Sequence, residues 1–354
     1  MAAKRRVVDH LLRGETYQIS NGGRTPEACV NPVWREKVIR WYFSIVSALD
    51  IEQQIPDSPF NRSTVHVAAA LLDSYLLALP SELSLRYKHD RAAYQLLATT
   101  CLLIGMRLTQ HDQRRTSEAS YENKNSCSAD HPRGQLKRAK THRDHMDQAD
   151  HQDLEDGAEE KDAPSNVRPY TGSKATVVLP SAATILQMSA APKTISESKI
   201  LAMVREVTGS RAFPRSHVIT ALDYIRSLFS STQVENTDVT LTPEVAEEAY
   251  RLADISLINA NLIGCRPSVV ASAAITLALC RFHHGSHEMA SLRQDVCAAI
   301  VGDDPAFQVA VRKAEARLLA ATRQATNAHA PGQMQMNAPI IHHVTAHLIP
   351  QEEG

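Results

Sequence analysis

The sequence predicts an all-helical protein whose helices form two sets, the first of which is interrupted by a long polar insertion. Apolar residues recur at spacings of three and four, as they do on one face of an α-helix. Alternating patterns typical of strands are nearly absent, and the second helical set repeats the order of the first. With 354 residues, of which 43% are hydrophobic, the chain is long enough to bury more than one core.

Three helices are predicted between residues 32 and 108. The first, NPVWREKVIRWYFSIVSALD, has Asn31 as its candidate N-cap and Pro32 at its first position, where a missing N–H costs nothing. The second is expected at about residues 61–80 and the third at about residues 90–108, separated by short polar clusters.

A polar segment interrupts the first set. From about residue 110 to about residue 170 the chain is mixed in charge and almost free of large apolar residues. Such a segment cannot bury enough apolar surface to offset the entropy of ordering it, so we predict a disordered insertion. Its basic cluster RGQLKRAKTHR resembles a nuclear-import segment, and Arg133 to Leu136 loosely resemble a degradation signal. A solvated linker is the preferred interpretation.

Helical patterns resume near residue 180, and Ser196 or Thr194 is the candidate N-cap of a helix through Ile200 and Val207. The five helices of the second set are predicted at about 214–230, 243–263, 267–284, 286–299 and 305–325. The third helix of each set is rich in small residues, which let neighbouring helices approach closely. We therefore predict a central helix surrounded by others in each half.

Composition excludes several function classes. Lys and Arg total 38 and Asp and Glu total 39, so the charge gives no reason to expect nucleic acid or a membrane surface as a partner. The N-terminal residues lack an apolar core of signal-peptide length, and no apolar stretch is long enough to span a membrane. The six cysteines form no CxxC pair, which favours a reducing compartment. The expected location is the nucleus and cytoplasm.

Motifs of catalysis are missing from the sequence. We find no Gly-rich phosphate loop, no Gly-x-Ser-x-Gly elbow and no paired carboxylates on an apolar face. Two histidine clusters lack partners at metal-ligand spacing, and they comprise His283, His284 and His287, and His342, His343 and His347. We therefore predict that the protein is not an enzyme and has no cofactor or metal site.

Four segments resemble the cyclin family. WREKVIRWYFSIV, VHVAAALLDSYLL and YQLLATTCLLIGMRL resemble the first three helices of a cyclin box, and RPSVVASAAITLAL resembles the Pro-Ser opening of the third helix of a second cyclin fold. The resemblance covers about residues 30–300 apart from the insertion. It implies two tandem five-helix cyclin folds.

The resemblance also implies a division of the chain. An N-terminal extension is expected at residues 1–30, followed by an N-terminal cyclin box at 31–209 that holds the insertion at about 110–170. A C-terminal cyclin-like fold is expected at 210–326 and a flexible tail at 327–354.

Asp73 lies in the otherwise apolar second helix. From the pattern alone, an exposed edge of that helix and a buried ion pair are equally acceptable positions for this acid. The resemblance places the buried arginine of the family at Arg35 and its aspartate at Asp73, and implies that the two pair between the first two helices. A guanidinium makes a buried carboxylate tolerable through charge-assisted hydrogen bonds.

Residues that contact a kinase follow from the same resemblance. The lysine of the family falls on Arg107, and its glutamate falls on Val204, which removes a charged acceptor. Glu206 is a neighbouring acid, although it is expected on another face of its helix. We place the kinase contact at Arg107, Met203 and Val204, and at Phe213.

A docking patch for substrate proteins with an Arg-x-Leu motif is implied at Trp34, Lys37, Val38, Trp41 and Gln95. Trp34, Val38 and Trp41 share a helical face, and the Gln95 amide could bond to a peptide backbone. Lys37 replaces an apolar residue of the family. An apolar helical stripe is more often core than binding site, so the sequence leaves both interpretations of the tryptophans open.

The implied function is that of a cyclin-like regulatory subunit that binds and activates a cyclin-dependent protein kinase and controls cell-cycle progression. Two alternatives remain. One is a cyclin-fold transcription factor resembling transcription factor IIB, but Cys29 stands alone before Cys101 and cannot form the expected zinc ribbon. The other is a kinase-independent helical adaptor, which Val204 keeps open.

Overall fold

The computed structural model describes helices joined by short connections, and no strand occurs in the part of the chain that it describes. The described residues are 11–12, 29–53, 61–126, 180–188, 195–211, 213–214, 217–230, 242–282, 289–302 and 304–327. The all-helical prediction is confirmed. The histidine clusters, the tail and most of the predicted insertion lie outside the described residues.

The first set contains six helices among these residues. They are α1 (Pro32–Gln53), α2 (Arg62–Ala78), α3 (Ser81–His89), α4 (Arg91–Ser126), α5 (Ala182–Met188) and α6 (Glu197–Gly209). Asn61 caps α2 by accepting from the Ser63 N–H, and Ser196 caps α6 by accepting from the Lys199 N–H. Of the two candidate caps, Ser196 is therefore the one used.

The second set contains five α-helices and one short 3₁₀ helix. They are α7 (Ala221–Ser230), α8 (Pro243–Ile258), the 3₁₀ helix (Ala260–Leu262), α9 (Pro267–Phe282), α10 (Met289–Ile300) and α11 (Pro305–Asn327). Thr242 caps α8 and Pro243 occupies its first turn. The order agrees with the five helices that the sequence predicts.

Three boundaries differ from the prediction. Helix α3 was expected to be a loop, yet Glu82 in its first turn and basic residues in its last turn complement the helix dipole. Helix α4 continues to Ser126, past the predicted start of the insertion, because no glycine or proline interrupts it after Gly105. Helix α7 begins at Ala221 instead of Pro214, because Asp223 accepts from the Thr220 N–H and hydroxyl and fixes the start there.

Each set surrounds one central helix, as predicted. In α4, residues 97–106 are all buried, and in α9 residues 268–279 are all buried. The apolar residues of α7 to α11 form one core, which Leu11 from the N-terminal extension also joins. The chain divides into two compact units, and both helical sets belong to the first, Met1–Arg114 with Val177–Gly354. The second unit is Arg115–Thr176, of which the structure describes only the end of α4.

Polar contacts join the two sets where α2 meets α8. Asp254 lies between Arg62 and His66, with Oδ2 2.8 Å from Arg62 Nε and Oδ1 3.0 Å from His66 Nε2. Arg62 also contacts Glu247 at 2.9 Å and lies over the Tyr250 ring, 5.5 Å from its centroid. The first turns of α2 are therefore fixed against the second set by charge as well as by packing.

Candidate functional site

Arg35 and Asp73 lie together at the junction of α1 and α2. Arg35 Nε and Nη2 donate to Asp73 Oδ1 and Oδ2 at 2.8 Å and 2.6 Å, which is a bidentate ion pair. The Arg35 side chain is 2% exposed and that of Asp73 is 15% exposed. The two residues that the resemblance pairs are thus in contact, and the alternative of an unpaired acid on an exposed helix edge does not describe Asp73.

Arg35 has a third partner, in the second set. Its Nη1 donates to the backbone carbonyl of Leu257, which lies in the last turn of α8, where carbonyls lack a partner within the helix. Burial lowers the pKa of Arg35, but the charge and hydrogen bonds of Asp73 raise it above its ordinary value overall. One buried guanidinium therefore connects α1, α2 and α8.

Three of the four residues predicted to contact a kinase border one core cluster. Met203, Val204 and Phe213 are half-buried and pack against the cluster that contains Ile104 and Val207. Arg107 is exposed on α4, one turn after Ile104. The structure thus brings three apolar side chains to the edge of one core, and the exposed Arg107 follows a residue of that core by one turn of α4.

Glu206 already has a partner inside the protein. Its Oε1 accepts a hydrogen bond from the Tyr75 hydroxyl at 2.6 Å, and Tyr75 packs edge-to-face against Tyr87 with ring centroids 6.2 Å apart. Burial, and then the bond to Glu206, raise the pKa of Tyr75. The Tyr87 hydroxyl lies 4.0 Å from Met203 Sδ. Sequence reasoning missed both tyrosines, because an aromatic residue in a helix gives no indication of its partner.

The predicted docking residues lie where α1 contacts α4. Trp34, Val38 and Gln95 are half-buried, Lys37 is exposed, and Trp41 is buried at 8% exposure. Trp41 therefore belongs to the core, whereas Trp34 retains an exposed portion. The core interpretation therefore applies to Trp41, whereas the docking role of Trp34 stays a prediction.

Three charged residues meet between the middle of α4 and the start of α7. His217 Nδ1 lies 2.8 Å from Asp112 Oδ2, and His217 Nε2 lies 3.5 Å from Asp223 Oδ2. Asp223, and in addition Asp112, raise the pKa of His217 to about 8. The protonated imidazole therefore links the first set to the entry of the second.

The contribution of His217 to stability should decrease as the pH rises. Its folded-state pKa exceeds the unfolded value, so the stabilisation is complete below about pH 6.5 and is lost as the pH passes through about 8. Because the side chain is 40% exposed, we expect at most about 1 kcal/mol. Urea denaturation from pH 6 to 9 should show this loss in the wild type and not in His217→Gln. His89→Gln is the control and should lose stability with pH as the wild type does. If His217→Gln lost as much stability between pH 6 and 9 as the wild type, the prediction would be contradicted.

No group of three or more His, Cys, Asp or Glu side chains that could hold a metal occurs among the described residues. None of the described helices is both long and apolar enough to cross a membrane.

Comparison with known proteins identifies the second set. The family model of the cyclin C-terminal domain matches residues 219–296, which run from the start of α7 into α10. The second helical set therefore contains a cyclin C-terminal domain. The resemblance to the cyclin family predicted from the sequence is thereby confirmed, and a cyclin domain indicates a regulatory role. None of the curated proteins compared with the chain matches it significantly.

Proposed function

We propose that this cyclin-family protein binds and activates a cyclin-dependent protein kinase in the nucleus and cytoplasm, and so controls cell-cycle progression. The observation that carries the proposal is the cyclin C-terminal domain in the second set. The buried Arg35 joins this domain to the first set. Its ion pair with Asp73, between α1 and α2, is the one expected of a cyclin box. The kinase supplies all the chemistry.

Activation would be a shift of population in the kinase. A kinase is active when its C helix lies inward and completes a lysine–glutamate pair. A protein that binds the inward arrangement more tightly than the outward one shifts the kinase population towards the inward arrangement. The size of the shift is set by the difference between the two affinities. The edge formed by Arg107, Met203, Val204 and Phe213 is the proposed contact, because it presents apolar surface beside an exposed cation.

Reversing the charge of Arg107 tests this contact. We expect Arg107→Glu to reduce the recovery of co-expressed cyclin-dependent kinase from a pulldown by about tenfold, because a like charge then faces the acceptors on the kinase. Phosphorylation of a synthetic Ser-Pro peptide by the complex should decrease in parallel. Arg107 is exposed, so the fold should tolerate the change.

Arg312→Glu is the matched control, since Arg312 is exposed on α11 in the second set. It should leave both recovery and activity unchanged. Absence of any kinase in the wild-type pulldown would refute the proposal. Equal recovery with Arg107→Glu would show that the contact lies elsewhere.

A kinase-independent adaptor is the second candidate, and Val204 favours it. Val204 is half-buried against two apolar clusters to which α2, α4 and α6 contribute, and its side chain has no acceptor atom where the family has a glutamate. Glu206 is bonded to Tyr75 and does not simply replace it. An adaptor would be recovered with partner proteins but would not raise kinase activity in the peptide assay.

A further inference from the structure

Helix α11 has apolar side chains on its outer face as well as on its inner face. On the inner face, Phe307, Val311 and Leu318 are buried in the core of the second set. On the outer face, Val309 is 62% exposed and Leu319 is 42% exposed. A surface helix normally confines its apolar residues to the stripe that faces the core. Two large apolar side chains on the opposite side therefore need an explanation other than packing within the chain.

Isolated exposed apolar side chains are common, but these two lie on one line along the helix. Val309 and Ala316 are seven residues apart and Leu319 follows three residues later, a spacing that keeps all three on one side of the helix. All three are exposed in the part of the chain that the structure describes. The small Ala316 would let a second helix approach the α11 backbone closely. The line therefore has the pattern of one side of a helix–helix contact.

Three cations flank this line, Arg312 and Lys313 near its middle and Arg323 after its end. All three are exposed, and none of them forms an ion pair with another described residue. The one acid in the sequence of α11 is Glu315, whose side chain is 7% exposed and pairs with Arg293 at 2.8 Å. The outer side of α11 therefore has positive charge that no acid of the same helix offsets.

We call this strip the α11 outer face, and it comprises Val309, Arg312, Lys313, Ala316, Leu319 and Arg323. We propose that the α11 outer face binds an amphipathic helix of a partner protein in which acidic residues border an apolar stripe. The apolar stripe would lie on Val309, Ala316 and Leu319, and the acids would face the three cations. At 1.5 Å per residue, the contact would be about 21 Å long, or about four helical turns.

The combination of apolar and cationic groups decides the kind of partner. Nucleic acid is bound mainly through contacts between cations and phosphates, which would leave Val309 and Leu319 without a role. A helix that lies on a membrane presents a broad apolar face of large side chains, whereas this line has Ala316 at its centre. A second copy of the chain that paired through the same face would place cation against cation. An acidic amphipathic helix supplies complements to both kinds of group.

The matched residues 219–296 end before α11 begins at Pro305, so the family comparison attributes no role to this face. Binding here would be a second role beside the proposed kinase activation. The proposed kinase contact uses Arg107 on α4 and Met203 on α6, whereas the α11 outer face belongs to the second set. The two roles can therefore be tested separately.

Fluorescence anisotropy with the purified full-length protein, without kinase, tests this binding. The probes are two labelled helical peptides of equal length with the same line of leucines, bordered by Glu in one peptide and by Lys in the other. At low salt we expect the acidic peptide to bind about tenfold more tightly, since three cations attract it. The preference should decrease as salt is added, because salt screens exposed charges.

Two variants test the two kinds of contact. Arg312→Glu should weaken binding of the acidic peptide about fivefold, because it places an acid against the acids of the peptide. Leu319→Ala should also weaken it about fivefold, because it removes apolar surface from the contact.

Each variant has a matched control on the first set. Arg91→Glu reverses an exposed charge on α4, and Leu83→Ala truncates a leucine that is 50% exposed on α3. Both controls should bind the acidic peptide like the wild type. All four positions are exposed, so circular dichroism should show an unchanged melting temperature in every variant.

Equal binding of the two peptides, or no binding of the acidic one, would overturn the proposal. Binding that neither Arg312→Glu nor Leu319→Ala weakens would also overturn it, because the contact would then lie elsewhere. A labelled DNA duplex and phosphatidylserine vesicles are two further probes. If either bound as tightly as the acidic peptide, and Arg312→Glu weakened that binding while Leu319→Ala did not, the face would be a general cationic surface and the proposal would be wrong.

Sedimentation velocity tests the remaining occupant. We expect a monomer at the concentrations of the binding assay. A dimer that Leu319→Ala disrupts would show that a second copy of the chain occupies the face, and would overturn the proposal. No kinase is present in any of these measurements, so a failed Arg107→Glu pulldown leaves the peptide preference untouched.

Discussion

Arg35→Ala is expected to lower the free energy of unfolding by about 3–5 kcal/mol, a large part of the stability of an ordinary domain. The substitution leaves the Asp73 carboxylate, which is only 15% exposed, without its counter-charge. It also removes the donor to the Leu257 carbonyl, so the last turn of α8 loses a partner from the first set. Urea denaturation followed by circular dichroism measures the change.

The same helix supplies the control. Arg40 pairs with Glu36 four residues earlier on α1, but both side chains are exposed, at 59% and 47%. Arg40→Ala should therefore cost no more than about 0.5 kcal/mol. A similar cost for the two variants would show that Arg35 contributes no more than a surface ion pair.

A lysine at position 35 tests the geometry of the pair as distinct from its charge. Arg35→Lys retains the positive charge, but an ammonium cannot reach both Asp73 oxygens and the Leu257 carbonyl in a planar fork. We expect a stability between those of the wild type and Arg35→Ala. If Arg35→Lys equals the wild type, charge alone is sufficient and the connection to α8 contributes little.

The Arg35–Asp73 pair shows how far the sequence could be interpreted. Asp73 is unusual because it is an acid in an otherwise apolar helix, which the sequence alone shows. The family resemblance then identified Arg35 as its partner. The third contact, to Leu257, could not be predicted, because a backbone carbonyl carries no sequence identity and lies in another helical set. Patterns of side chains locate helices well, whereas contacts between helices distant in sequence depend on tertiary packing.

The misplaced boundaries have the same kind of explanation. Pro214 resembled a first helical residue, yet the Thr220–Asp223 bonds start α7 seven residues later, and a local pattern cannot decide between two acceptable starts. At the candidate sites, the sequence placed Trp34 and Trp41 on one face. Only packing against α4 shows that one is core and the other is half-buried.

The contact between α2 and α4 leads to the second large effect. A Cβ placed on Gly105 would lie 3.2 Å from the Thr64 carbonyl oxygen and from the Ala68 nitrogen, both of them backbone atoms of α2. The Thr64 and Thr109 hydroxyls lie 3.0 Å apart at the same crossing. Small residues thus allow the two helices to approach more closely than larger side chains would permit.

Gly105→Val is expected to destabilise the protein by about 3 kcal/mol, because a branched side chain must separate α2 from the central helix or strain both. Gly105→Ala tests the same contact more mildly. Alanine favours a helix over glycine by about 1 kcal/mol, so any net loss of stability in this variant must come from the contact with α2. Thermal and urea denaturation measure both variants.

Gly209 isolates the helix preference from the contact. It is the last residue of α6, and a Cβ there would meet no atom within 4 Å. Gly209→Ala should therefore be neutral or stabilise the protein by up to about 1 kcal/mol. If Gly105→Ala behaved like Gly209→Ala, the α2–α4 crossing would have room for a methyl group. The position of α2, which holds Asp73 against Arg35, would then depend less on Gly105 than the 3.2 Å distances from an added Cβ indicate.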